Sequence, residues 1–206
     1  MRMTTRKRLL RGVAISLSFF ITVRFSLTQS TAQVQKPLPT SPAPVVEVGL
    51  IYVAERTKLT YGDNFWLQGG SGELSFPIYK SISLAMNVTG AHKGNISSAN
   101  SGFSKVSFVA GPRYTFDLHK SRLFVEALFG GVHGFDGVFP AVNGARMSAN
   151  AFAMQTGGGY EIDLKKRVSL RLIDASYVRT HLPNGGSNSQ GDLRLAAGII
   201  FRFPTH

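Results

Sequence analysis

The chain has 206 residues and no cysteine, which is enough for one domain and excludes both a disulfide framework and a thiolate zinc site. Its formal charge of +12 is concentrated at the start, where Arg2, Arg6, Lys7, Arg8, Arg11 and Arg24 lie among residues 1–32 with no acid between them. The remaining bases are mostly single, so the charge does not form a nucleic-acid footprint.

Residues 1–32 read as a secretory signal: a positive stretch at 2–11, an apolar run at 12–27, and Ser30-Thr31-Ala32 as small residues for cleavage before Gln33. The competing reading is an uncleaved membrane anchor. The shortness of the run and the charge of Arg24 within it oppose that. No later stretch approaches ~18 apolar residues, so no transmembrane helix is expected. Pro37, Pro39, Pro42 and Pro44 make 33–44 an extended, Pro-rich periplasmic linker.

From Val45 onward, alternating apolar and polar residues recur between turn-rich clusters, with no lasting helical period. The pattern predicts eight strands at about 45–55, 64–76, 81–91, 104–116, 121–133, 149–162, 167–180 and 191–203. The first puts Val46, Val48, Leu50 and Tyr52 on one face. The third puts Ile82, Leu84, Met86 and Val88 opposite Ser83, Ala85, Asn87 and Thr89. The last puts Leu193, Leu195, Ala197, Ile199, Phe201 and Phe203 opposite Asp192, Arg194, Gly198 and Arg202. A soluble sheet with one wet face gives the same alternation, so the rest of the chain must decide what lies outside.

The connections decide it. Those at 77–80, 117–120 and 163–166 are short, while those at 56–63, 92–103, 134–148 and 181–190 are longer and polar. Tight turns at one end and longer loops at the other suit an outer-membrane barrel, which must be closed because hydrocarbon leaves an unpaired edge unsatisfied. The expected fold is therefore all-β: a closed, eight-stranded, antiparallel, up-and-down transmembrane barrel over 45–203. The expected interface aromatics are Phe76, Tyr114, Phe116, Tyr160, Phe201 and Phe203 toward the short-turn end, and Tyr52, Trp66, Phe129 and Tyr177 toward the other.

Two residues conflict with the pattern. Pro112 removes a ladder donor from the fourth strand, which predicts a bulge there. Asp174 falls on the lipid face when counted from Val168, which predicts a bulge near Ile173 that turns Asp174 inward and Tyr177 outward.

These residues resemble a family. The strand plan, the stretch VSLRLIDASYVRT at 168–180 and the closing GIIFRF at 198–203 resemble the small eight-stranded outer-membrane barrels grouped with the transmembrane domain of outer membrane protein A and the opacity-type surface proteins. The departure is Pro204-Thr205-His206, since that family usually stops at the terminal Phe. The resemblance implies location in the bacterial outer membrane, contact with its lipid, and recognition by the barrel assembly machinery during insertion. It implies a structural or surface-interaction role, with an unidentified extracellular partner and a monomeric barrel. The alternatives are a small-solute channel and a soluble, lipocalin-like carrier of an apolar ligand.

The inward faces carry the charges. Counting around the short turns places Arg113 opposite Glu126, Glu161 diagonal to Arg171, and Glu47 near Arg202 where the barrel closes. Charges in so narrow an interior persist only when paired, so a lumen crossed by ion pairs is expected. No histidines sit at a metal spacing and no Ser–His–carboxylate set stands out, so neither metal, cofactor nor enzymatic activity is expected.

Overall fold

The structure is a computed structural model describing residues 45–58, 64–96, 101–141, 144–186 and 188–204. The expected signal and linker lie outside the described residues, which all belong to the unit spanning Ser41–His206. Eight strands follow one another: β1 (Val45–Lys58), β2 (Asn64–Tyr79), β3 (Ile82–Ile96), β4 (Ser101–Leu118), β5 (Ser121–Ala141), β6 (Gly144–Lys165), β7 (Val168–Thr180) and β8 (Gln190–Pro204). Each pairs antiparallel with the next, and β8 pairs with β1 from Val45↔Pro204 to Arg56↔Leu193, closing the barrel.

Alternation along each strand sorts the side chains. On β1, Leu50 and Tyr52 stand exposed while Ile51, Val53 and Glu55 are buried. On β4, Val106, Phe108, Tyr114 and Phe116 face out and Val109 and Arg113 face in. The exterior is thus apolar and the interior charged, the reverse of what a soluble carrier of an apolar ligand requires. Outward residues stay uncharged along β1 from Val46 until Arg56. At a rise of about 3.3 Å and a tilt of about 40° that run covers about 25 Å, the height of a hydrocarbon belt.

The three short connections are two-residue turns, set by the pairs Tyr79↔Ile82, Leu118↔Ser121 and Lys165↔Val168. Lys80 and His119, the first residues of two of them, adopt left-handed φ values of 46° and 55°.

The long connections differ from the sequence reading. β3 runs to Ile96, and β5 and β6 run on to Ala141 and Gly144, so most of the expected loop at 134–148 is a hairpin. The alternation there breaks because the register shifts between Phe135 and Phe139, with Asp136 at φ 58°. This also moves Phe129. It sits mid-strand on β5 rather than near its end, and outward His133 marks where the apolar exterior gives way. No bulge forms at Pro112. The β4–β5 register is the same at Ala110↔Phe129 and Arg113↔Glu126, and the ladder simply lapses at Gly111 and Pro112, as a missing donor requires.

The expected bulge in β7 is present. Arg171 pairs with Gly198 but Asp174 with Ala196, leaving one residue extra. Leu172 and Ile173 both face out, Asp174 is fully buried, and Tyr177 is exposed. Ala85, Val109, Leu128, Val132, Phe139, Ala153 and Leu182 form an apolar cluster that reaches the end of the barrel away from the tight turns at Phe139 and Leu182. Gln190 holds Leu182 there, its amide donating to the Leu182 carbonyl at 2.9 Å and its carbonyl accepting from the Leu182 amide at 3.1 Å.

Candidate functional site

The inward residues build a network of ion pairs inside the barrel. Strand alternation, with the β7 bulge turning Asp174, sends eight acids inward: Glu47, Glu55, Glu73, Glu126, Glu161, Asp163, Asp174 and Asp192. Six bases meet them: Lys105, Arg113, Arg122, Arg171, Arg194 and Arg202.

Near the tight-turn end, Arg122 on β5 reaches across to Glu47 on β1 at 2.5 Å and donates to Glu161 on β6 at 2.6 Å. Arg202 on β8 donates to Asp163 at 2.6 Å and lies 3.3 Å from Glu47. In the middle, Arg113 donates to Glu126 through Nε and Nη2 at 2.9 and 2.5 Å, and to Glu73 on β2 at 2.6 Å. Arg171 donates to Glu161 at 2.9 Å and, across the lumen, to both oxygens of Glu73 at 2.7 and 2.8 Å. The Phe124 ring lies against both guanidinium groups, its centroid 4.5 Å from that of Arg113 and 4.4 Å from that of Arg171. Asp174 accepts from Arg194 at 2.9 Å and from Ser176 at 2.7 Å. Toward the far end, Lys105 on β4 crosses to Glu55 on β1 and lies 3.6 Å from Asp192.

The structure therefore brings together all three pairs expected from sequence: Arg113 with Glu126, Glu161 with Arg171, and Glu47 with Arg202. Sequence reasoning missed Glu73 as the hub joining two arginines, and the cross-lumen reach of Arg122 and Lys105. Neighbouring strands could be registered by counting, but partners across a barrel depend on its closure and stagger.

Of the expected interface aromatics, Tyr52, Trp66, Phe76, Tyr114, Phe116, Phe129, Tyr177 and Phe203 are exposed, while Tyr160 and Phe201 are half-buried. Outside the lumen, Ser104 Oγ donates to Asp136 at 2.8 Å and lies 2.7 Å from His92 Nδ1. The hydroxyl, not the imidazole, sits on the carboxylate there. A nucleophile–base–acid relay needs the imidazole in the middle.

Solved barrels share this fold. Neisserial surface protein A matches with a TM-score of 0.59 and 16% identity, over 77% of this chain and 97% of its own. The attachment invasion locus protein Ail of Yersinia pestis matches with a TM-score of 0.55 and 17% identity, over 78% of this chain and 99% of its own. The chain has the fold of the small outer-membrane β-barrels. No family model matches the sequence, and no curated protein does. At these identities the likeness carries the fold, so the role of this outer-membrane-type barrel must come from its own residues.

Proposed function

We propose that the protein is a monomeric barrel of the bacterial outer membrane, inserted by the barrel assembly machinery, with a structural or surface-interaction role. Its ion-paired lumen is a rigid strut, and the longer connections, above all the β5–β6 hairpin, are the contact surface. The observation that carries this reading is the inside-out arrangement. An uncharged apolar belt faces outward around a lumen whose charges are tied to one another at successive levels. Such a surface is stable only in hydrocarbon. The β5–β6 hairpin supports the contact role, because Val138 and Met147 remain exposed on it beyond the belt. Ail, a barrel of this fold, has been solved in complex with the heparin analogue sucrose octasulfate, so one such barrel does hold a ligand.

Cell fractionation and surface proteolysis test the proposal. The protein is expected in the outer-membrane fraction, extracted only by detergent, with folded and boiled forms migrating differently. Protease on intact cells is expected to cut at 92–103 or 134–148 and to spare the tight turns. Recovery from the soluble periplasm, or cleavage confined to the turns, overturns it.

A further inference from the structure

The three tight turns share a composition that the barrel itself does not demand. Each carries a lysine: Lys80-Ser81, His119-Lys120 and Lys166-Arg167, with Lys165 adjoining the last. Each is preceded on the outward face by a large apolar residue. Ile78 is 66% exposed, Leu118 48% and Leu164 57%. The apolar exterior therefore continues to the last strand residues, and cationic side chains begin within two positions of it.

None of Lys80, Lys120, Lys165, Lys166 and Arg167 forms a salt bridge among the described residues. The acids that would neutralise them have gone into the lumen, where Asp163 is held by Arg202. Asp117 is the one acid exposed beside these turns among the described residues. The turns are also fixed in place. Backbone carbonyls of Ser81, Lys120 and Arg167 accept from the amides of Thr115, Asp163 and Arg202, each at 2.9 Å. Lys80 lies over the Tyr79 ring at 5.0 Å, and a rim of cations without ion-pair partners, carried on turns held directly below an apolar belt, is complementary to a layer of phosphates at the edge of hydrocarbon.

The geometry points to a cationic footing: the three turns bind the headgroups of anionic phospholipid in the periplasm-facing leaflet. The inference rests on the membrane reading above and deepens it by naming the lipid class. Zwitterionic headgroups offer the same phosphate but cancel its charge, so the footing discriminates between them.

The test uses the full chain refolded into phosphatidylcholine vesicles doped with spin-labelled phosphatidylglycerol or spin-labelled phosphatidylcholine. The motionally restricted fraction of each label gives their relative association with the barrel. Heat-modifiable mobility establishes separately that the barrel has inserted, so failure of the membrane reading shows as absence of the folded band. The inserted wild type is expected to prefer phosphatidylglycerol by about threefold or more at low salt, with the preference collapsing in about 1 M salt. Replacing Lys80, Lys120, Lys165, Lys166 and Arg167 by Gln is expected to abolish the preference. Three variants, each altering a single turn, are expected to lose part of it, which keeps the test decisive if the full variant does not fold. Replacing Arg56 and Arg179 by Gln at the opposite end is expected to leave it intact. An inserted wild type without preference, as for turns that instead contact an acidic periplasmic protein, overturns the proposal. So does a preference that survives loss of the turn cations or vanishes with Arg56 and Arg179.

Discussion

Arg171 and Glu73, 98 residues apart in the chain, meet across the lumen through two hydrogen bonds, at 2.7 and 2.8 Å. Glu73 also accepts from Arg113 at 2.6 Å, so one carboxylate neutralises two buried guanidinium groups. Removing it leaves both short of a partner, whereas Glu126→Ala leaves Arg113 still bound to Glu73. Breaking a buried pair costs about 3–5 kcal/mol. Glu73→Ala is expected at the top of that range or beyond it, and Glu126→Ala below it. Urea unfolding of the inserted barrel reads the difference. An equal or reversed ranking removes Glu73 from the centre of the network.

Phe124 faces inward by strand alternation, and its ring lies against the guanidinium groups of both Arg113 and Arg171. Each desolvated cation–π contact contributes about 0.5–2 kcal/mol, so Phe124→Leu is expected to destabilise by about 1–3 kcal/mol despite its similar hydrophobicity. Gly159 lies under that ring. A Cβ there stands 2.6 Å from Phe124 Cζ and 2.5 Å from the Ile173 carbonyl oxygen. Gly159→Ala is therefore expected to be at least as damaging as Phe124→Leu. A neutral Gly159→Ala in the same unfolding assay refutes this account of the ring.

These two residues also show what the sequence held and what it hid. The strand number and the three sheet-neighbour ion pairs were legible: two-residue turns fix the register of Arg113 with Glu126 and of Glu161 with Arg171, closure of the first strand on the last sets Glu47 beside Arg202, and period-two alternation fixes the face. Glu73 gave no local sign of being a hub, since its partner Arg171 lies on a strand far off in the sheet order. Phe124 gave no local sign of its role either, because a cation–π contact has no sequence period. The β5–β6 hairpin read as loop because Gly134, Gly137 and the shifted register at Asp136 erase alternation. Yet Gly137 is there for packing: a Cβ on it stands 3.2 Å from the Phe103 ring.

The β7 bulge makes a sharper prediction than its position alone. Leu172 is the extra residue against both neighbouring strands, so deleting it leaves Arg171 inward, Ile173 outward and Asp174 inward in unbroken alternation, with the pairings Arg171↔Gly198 and Asp174↔Ala196 kept. The deletion is expected to keep the heat-modifiable folded form, because Asp174 still reaches Arg194. Leu172→Ala keeps the bulge and trims one exposed side chain, so it is expected to fold. A deletion variant that fails to fold means that the bulge itself, and not only the inward position of Asp174, is required.

His119 at φ 55° occupies a left-handed position that favours glycine. His119→Gly is expected to stabilise by up to about 1 kcal/mol, the left-handed penalty of about 1–2 kcal/mol offset by glycine's larger unfolded-state entropy. The effect should show in the urea midpoint with no change in spectroscopic strand content. A destabilised His119→Gly means that the imidazole contributes more to the turn than its backbone costs.

Conduction gives the most direct test of the lumen. The interior of an eight-stranded barrel is just wide enough for side chains. Here it is crossed at three levels: by Arg122 to Glu47 near the tight turns, by Arg113 and Arg171 to Glu73 in the middle, and by Lys105 to Glu55 toward the far end. Apolar Val132, Phe139 and Leu182 pack together at that far end. An ion passing through must displace a paired group at every level, and each displaced charge is left buried and unpaired. The wild-type monomer in planar bilayers is therefore expected to show no stable, large conductance steps. A variant broken at one level, such as Lys105→Ala, is expected to stay closed because the other two ties persist. Breaking all three, with Lys105→Ala, Glu73→Ala and Arg122→Ala combined, is expected to admit current where the barrel still folds. Large, steady steps from the wild type would sink the reading of the lumen as a strut and make the same charges the lining of a channel.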